Sequence, residues 1–185
     1  MAEEVEVKIS TKRIVFSIAV IAVAAALYLS YPYITYQLFP ITKYNYHGTE
    51  LDFRSDLKEA QKIPVYPNER LVVDTLFSPF VTNLTIAFQD TSQNDFVAVE
   101  AYGIAYKMRT AYLATNHNVN ITSYATNSSV YGTADNPVII LVPPVLAGET
   151  AVRVSNFTIT ISAKTLKEFD LATDKFLMVA MGIKV

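Results

Sequence analysis

Residues 136–144 read Asn136-Pro137-Val138-Ile139-Ile140-Leu141-Val142-Pro143-Pro144, the most hydrophobic stretch beyond the first forty residues. A half-buried strand alternates apolar and polar side chains. A continuous β-branched run between prolines instead suits a central strand covered on both faces. Pro143 and Pro144 end it, because proline has no N–H to give to a sheet ladder. The segment therefore predicts a sheet with strands on either side of it.

Immediately downstream, Ala151–Ser162 predicts a hairpin. Val152-Arg153-Val154 and Phe157–Ser162 alternate around a short polar turn at Ser155-Asn156, and asparagine tolerates the positive φ that such turns require. A helix follows. Thr165-Leu166-Lys167-Glu168 is a capping box, in which the threonine hydroxyl accepts from the third helical amide and the glutamate reaches back to the cap. Phe169, Ala172, Phe176, Val179, Ala180 and Ile183 recur at helical spacing and form the predicted core stripe, and Gly182 suits the helix end. On this pattern Asp170 and Asp174 fall on the outer, solvated face.

Upstream, His47-Gly48 predicts a turn and Thr49–Arg54 a half-buried strand. A short helix begins at Ser55, read as its N-cap, and stops at Pro64. A second helix covers 68–78 with Leu71, Val72, Thr75 and Leu76 on one face. Thr82–Phe88 reads as a buried strand and Asn118–Tyr124 as another. Between them, 95–114 is rich in alanine and carries Ala98, Ala101, Tyr102, Ala105, Met108 and Tyr112 at helical spacing, which predicts a helix despite Gly103. Residues 131–136 are a turn-rich connection. The fold class is thus α/β or α+β: an N-terminal transmembrane helix, then one mixed-sheet domain flanked by helices, ending in a β-hairpin and a helix.

The transmembrane expectation rests on Ile14–Ser30, IVFSIAVIAVAAALYLS. No charged residue stands between Arg13 and Lys43, enough for a bilayer crossing of about 20 residues. Lys12 and Arg13 mark one interface. Tyr28, Tyr31, Tyr33 and Tyr36 form an aromatic belt at the other. The basic flank places residues 1–13 in the cytoplasm, 14–30 in the bilayer, 31–46 in a stalk and 47–185 outside as an α/β domain. The A-x-A tripeptides Ala22-Val23-Ala24 and Ala24-Ala25-Ala26 lie inside the apolar run rather than after it, so the segment reads as an uncleaved signal-anchor.

Asn83, Asn120, Asn127 and Asn156 each begin an N-x-[ST] sequon on the predicted exterior side and are candidate glycosylation sites. The chain has no cysteine, which excludes disulfides, thiolate catalysis and cysteine metal sites. A net charge of −2, with no basic cluster outside the N-terminal flank, gives no reason to expect nucleic acid. His47 lies near Glu50, Asp52 and Asp56. Glu50 and Asp52 share one strand face where a hard cation can be imagined, but a solvated strand face accounts for the same residues. His117 sits in an asparagine-rich loop and is expected to be exposed. Neither a nucleophile elbow, a phosphate loop, a dinucleotide glycine pattern nor a zinc-protease motif is present, so no cofactor, metal or catalytic group is assigned.

The last third, NPVIILVPP, ETAVRV, FTITISAKT and LKEFDLATDKFLMVAMGI, together with the YPNE segment at 66–69, resembles small single-pass surface proteins of archaea that are uncharacterised. The resemblance spans most of Leu51–Val185, implies an archaeal envelope location and carries over no catalytic residue. The sequence therefore predicts a non-enzymatic, membrane-anchored surface protein whose outer domain binds or scaffolds something at the envelope. Its partners are the bilayer through 14–30 and envelope proteins or further copies of itself. One alternative is a tethered subunit of a larger envelope, filament or secretion assembly, with the alanines of the apolar run packing helices closely. Another is a tethered hydrolase using His47 or His117.

Overall fold

The computed structural model describes residues 20–26 and 42–185. The chain divides into two compact units, Met1–Phe39 and Pro40–Val185. In the first, residues 20–26 are helical (α1). The rest of the predicted span, and the interface residues Lys12, Arg13, Tyr28, Tyr31, Tyr33 and Tyr36, lie outside the described residues. Among the described residues no helix is long and apolar enough to cross a membrane.

The second unit opens with a hairpin, β1 (Thr42–Tyr46) and β2 (Thr49–Phe53), paired antiparallel. His47 and Gly48 turn it with φ of 48° and 88°, the positive values that a two-residue hairpin loop demands. Strand β1 lies within the stretch read as stalk, so residues 42–46 belong to the folded unit. Helix α2 (Leu57–Ala60) follows, then β3 (Val65–Tyr66), α3 (Arg70–Leu76) and β4 (Asn83–Phe88). Next come α4 (Asn94–Ala114), β5 (Asn120–Ala125), β6 (Val138–Val142), β7 (Ala151–Ser155), β8 (Thr158–Ser162) and α5 (Leu166–Met181).

Strands β3 to β8 form one sheet in the order β3-β7-β8-β6-β4-β5. Pairings β3–β7, β8–β6, β6–β4 and β4–β5 are parallel and β7–β8 is antiparallel. The domain is thus a mixed α/β fold: a mostly parallel six-stranded sheet with helices, plus a separate hairpin. β6 holds the central place that its apolar run predicts, between β8 and β4.

Coverage of the two faces is unequal. α4 packs on β4 and β5, α5 on β7 and β8, and the two helices pack on each other, so they share one face. That face presents Leu84, Ile86, Ile139, Leu141, Ile159 and Ile161, all fully buried. Chain geometry explains the other face. The step β4-α4-β5 moves outward across the sheet and the step β5 to β6 moves back, so a right-handed return crosses the opposite face. Residues 126–137 make that return without a helix. Thr126–Tyr131 border a pocket with Ala87 and Ile140, on the face turned away from α4 and α5. The return passes so close to the β7–β8 turn that a Cβ on Gly132 would stand 1.9 Å from the Phe157 carbonyl oxygen, and Gly132 N–H donates to Thr158 Oγ1 at 2.9 Å. A helix-free return covers less than a helix does. On β6 the second face is therefore covered only in part, with Val138 buried and Ile140 and Val142 half-buried, and on β5 Thr122 and Tyr124 are exposed.

Four local expectations also shift. Asp56, not Ser55, caps α2, accepting from Lys58 N at 2.9 Å. The β7–β8 turn is Asn156-Phe157, at φ 46° and 59°, one residue beyond the polar pair that marked it. On α4 the buried side includes Phe96, Val97, Glu100 and Ile104, while Tyr102 is 74% exposed. On α3 the buried residues are Val72, Thr75 and Leu76, with Leu71 turned to solvent.

Candidate functional site

The largest departure from the sequence pattern is α5. Its N-terminus forms as the capping box predicts in one half: Thr165 Oγ1 accepts from Glu168 N at 3.2 Å. The Glu168 carboxylate, however, accepts from Thr150 Oγ1 at 2.7 Å. Gly182 ends the helix at φ 67°, the left-handed conformation that glycine adopts freely. Between these ends, every residue from Phe169 to Met178 is buried. α5 lies against the sheet strands β7 and β8, against α4, and against α2 and α3. A helix enclosed on all sides has no solvated face, so the predicted outer face of Asp170 and Asp174 does not exist. Their exposures are 1% and 3%.

Asp174 is used by the hairpin. Its Oδ2 accepts from Ser55 N at 2.9 Å and from Ser55 Oγ at 2.6 Å, directly after β2. From α4, Glu100 points into the same region, 5% exposed, with Oε1 3.5 Å from Arg54 Nε. Lys107, two turns further along α4, places Nζ 5.1 Å from the centre of the Phe53 ring. Consecutive residues Phe53, Arg54 and Ser55 are thus held by three charged groups on α4 and α5. A cleft of about 270 Å³ opens beside them, lined by Glu100, Asp174, Lys107 and Arg54 with Tyr102 and Tyr106 at its rim.

Burial decides the ionisation of this cluster. It raises Glu100 to about 7 and Asp174 to about 6, the latter against the opposing pull of its Ser55 hydrogen bonds. Burial also lowers the Lys107 ammonium. Asp170, one turn before Asp174, has no hydrogen-bond partner on either oxygen among the described residues, and burial with the neighbouring Asp174 charge raises it to about 8. Burial thus favours the neutral, protonated form of Asp170. A second tie lies further along α5, where buried Lys175 donates to Gln61 O at 3.1 Å and meets Glu69 Oε1 at 2.6 Å. These groups work chiefly as a clamp. They fasten β1–β2, α2 and α3 to the central helix.

The His47 group does not assemble. Lys43 Nζ stands 2.5 Å from Glu50 Oε1 and 4.0 Å from Asp52 Oδ1, and all three are exposed. Asp56 is occupied as the α2 cap. His47 is exposed on the turn and contacts Tyr46 edge-on. Among the described residues no grouping of acids and histidines is placed to hold a metal ion. His117 is half-buried rather than exposed, with Nδ1 3.1 Å from the Thr115 carbonyl and its ring near Phe77 and Tyr112.

The sequons fall at the two ends of the sheet. Asn83 and Asn120 are register partners at the start of β4 and β5, and Asn156 turns into β8, so these three share the end where the parallel strands begin. Asn127 follows β5 at the other end. Asn120, Asn127 and Asn156 are exposed; Asn83 is half-buried and donates to Thr82 Oγ1 at 3.0 Å. The buried cluster on α4 and α5 went unseen in the sequence. Its one signal was four ionisable groups, Glu100, Lys107, Asp170 and Asp174, on helices that also carry the core.

No family model, no curated protein and no solved structure matches the chain.

Proposed function

We propose that this chain is a single-pass, membrane-anchored surface protein whose outer domain acts as a non-enzymatic binding or scaffolding module of the cell envelope. The carrying observation is the charge pattern of the N-terminal segment. Lys12-Arg13 precedes a stretch without one charged residue up to Lys43, with tyrosines at its far end. The N-terminus is then cytoplasmic, and the residues from about Tyr31 onward face outward with their sequons. The clamp supports this reading mechanically. Among the described residues, the first element after the apolar stretch is the β1–β2 hairpin, and its last strand is fastened by buried groups to the helix at the centre of the domain. The resemblance to archaeal surface proteins agrees with the location.

Protease added to intact cells is expected to remove the domain while an N-terminal tag survives inside, and alkaline carbonate is expected to leave the chain in the membrane. A protected domain with a cleaved tag would reverse the topology. The reading as a subunit of a larger assembly is favoured by a separate observation: residues 110–134 contain no Asp, Glu, Lys or Arg and include an edge strand of the sheet.

A further inference from the structure

Strand β5 stands at the end of the sheet, paired on one side with β4. Its six residues, Asn120–Ala125, keep an unbroken register with β4, and all but Ile121 are exposed. Proteins usually blunt such an edge with a lysine, a proline or a bulge, because its free N–H and C=O groups template another strand. β5 has none of these. The backbone directions follow from the ladder: Asn120 N–H donates to Thr82 O and Thr126 N–H to Phe88 O. With the period of two along a strand, Thr122 and Tyr124 also turn inward, and Ile121, Ser123 and Ala125 turn their N–H and C=O outward.

We propose that the β5 edge is a homotypic interface, where β5 of a second copy of this chain pairs antiparallel across a two-fold axis at Ser123. This choice of occupant rests on charge. In a two-fold pairing each residue meets one from the same strand, so a charged edge would set like charges opposite one another. The edge and its flanks carry none over residues 110–134. The register is also self-consistent. Centring on Ser123 sets Ile121 opposite Ala125 of the second copy, so the three outward-turned residues meet outward-turned partners, and each such pair exchanges two hydrogen bonds. On the face turned away from α4 and α5, Thr122 then meets Tyr124 of the second copy, a β-branched–aromatic pair of the favourable kind. The inference stands on the edge geometry and does not need the membrane anchor.

The test uses the full chain in detergent, produced without N-glycosylation so that nothing attached at Asn120 or Asn127 crowds the strand. Its detergent-corrected mass is expected to be that of two chains at micromolar concentration. Because the chain lacks cysteine, Ser123→Cys is a clean reporter. Its two thiols would face each other across a hydrogen-bonded pair with Cα atoms about 5.5 Å apart, within disulfide reach. Oxidation is expected to cross-link Ser123→Cys at least tenfold more than Lys62→Cys, an exposed site remote in the fold. Ser123→Pro removes an N–H that points away from β4, and Ser123→Lys sets two ammonium groups together at an exposed position. Each is expected to weaken the dimer at least tenfold with an unchanged circular dichroism spectrum. A one-chain mass, equal cross-linking of the two cysteine variants, or a dimer undiminished in Ser123→Lys overturns the proposal. The last result would assign association to the apolar segment, and protease shaving reports on the anchor separately.

Discussion

Two acidic pairs of this domain have the same chemistry and opposite circumstances. Glu50 and Asp52 sit two residues apart on β2, exposed, sharing Lys43. Asp170 and Asp174 sit one turn apart on α5, buried, one serving Ser55 and the other serving no partner among the described residues. The first pair lies on a strand with solvent on one side. The second lies on a helix enclosed by the sheet, α4, and the layer of α2 and α3. What separates them is the number of layers stacked on each element. Acidic spacing in the sequence does not encode it.

The sharpest way to break the comparison is to remove Asp174. Asp174→Ala leaves Ser55 N–H and the Ser55 hydroxyl without their acceptor in a buried place, at an expected cost of about 2–4 kcal/mol in denaturant unfolding. Phe53, Arg54 and Ser55 should loosen first, visible as faster amide exchange there than in β6. A loss below about 1 kcal/mol would mean that the clamp does not hold the hairpin.

Asp170 gives a pH signature. Its folded value, about 8, lies above the ordinary 3.8. Between these values the folded chain keeps a proton that the unfolded chain releases, so the stabilisation is full below about pH 4 and falls as pH rises toward 8. Glu100 and Asp174 are raised too, and add loss in the same direction up to about 7 and 6. Thermal midpoints should therefore be lower at pH 8.5 than at pH 5.5. Asp170→Asn, neutral at both, should flatten the slope and be more stable than the native chain at pH 8.5. A steeper slope in this variant would contradict the burial argument.

The exposed pair anchors the small end of the scale. Glu50→Gln or Asp52→Asn should change stability by less than about 0.5 kcal/mol, and that change should vanish in high salt, as for any solvated ion pair. A change above about 1 kcal/mol would show that the two pairs are less different than their exposures indicate.

Much of the fold was legible in the sequence, for reasons that differ between elements. β6 was evident because an uninterrupted β-branched run has few other uses, and the long helix α4 because length and alanine content outweigh one glycine. The Thr165 cap and Gly182 stop of α5 are local chemistry and formed as read, apart from the Glu168 half of the box. The β7–β8 hairpin was legible, but its turn slipped by one residue: propensity favoured Ser155-Asn156, and the strand register placed Phe157 at positive φ instead. β1 was missed because Thr42–Tyr46 follows a long uncharged stretch and was read as the end of its stalk. Its partner β2 supplies the ladder that makes it a strand.

The sequence by itself determined the order of the strands and helices apart from β1 and β3, the cysteine-free core, the uncharged N-terminal segment and the neutrality of the β5 edge. These follow from periodicity and composition, which are properties of neighbours along the chain. Tertiary structure alone decided which acids are buried, that Ser55 bonds Asp174 rather than capping α2, and that one face of a mostly parallel sheet is covered by a loop instead of a helix. Those outcomes depend on what stacks against α5 and on which way the chain must cross to return from β5 to β6. Desolvation and hydrogen bonding act between groups brought close in space, and Ser55 and Asp174 are brought together only when the helical layer closes over α5.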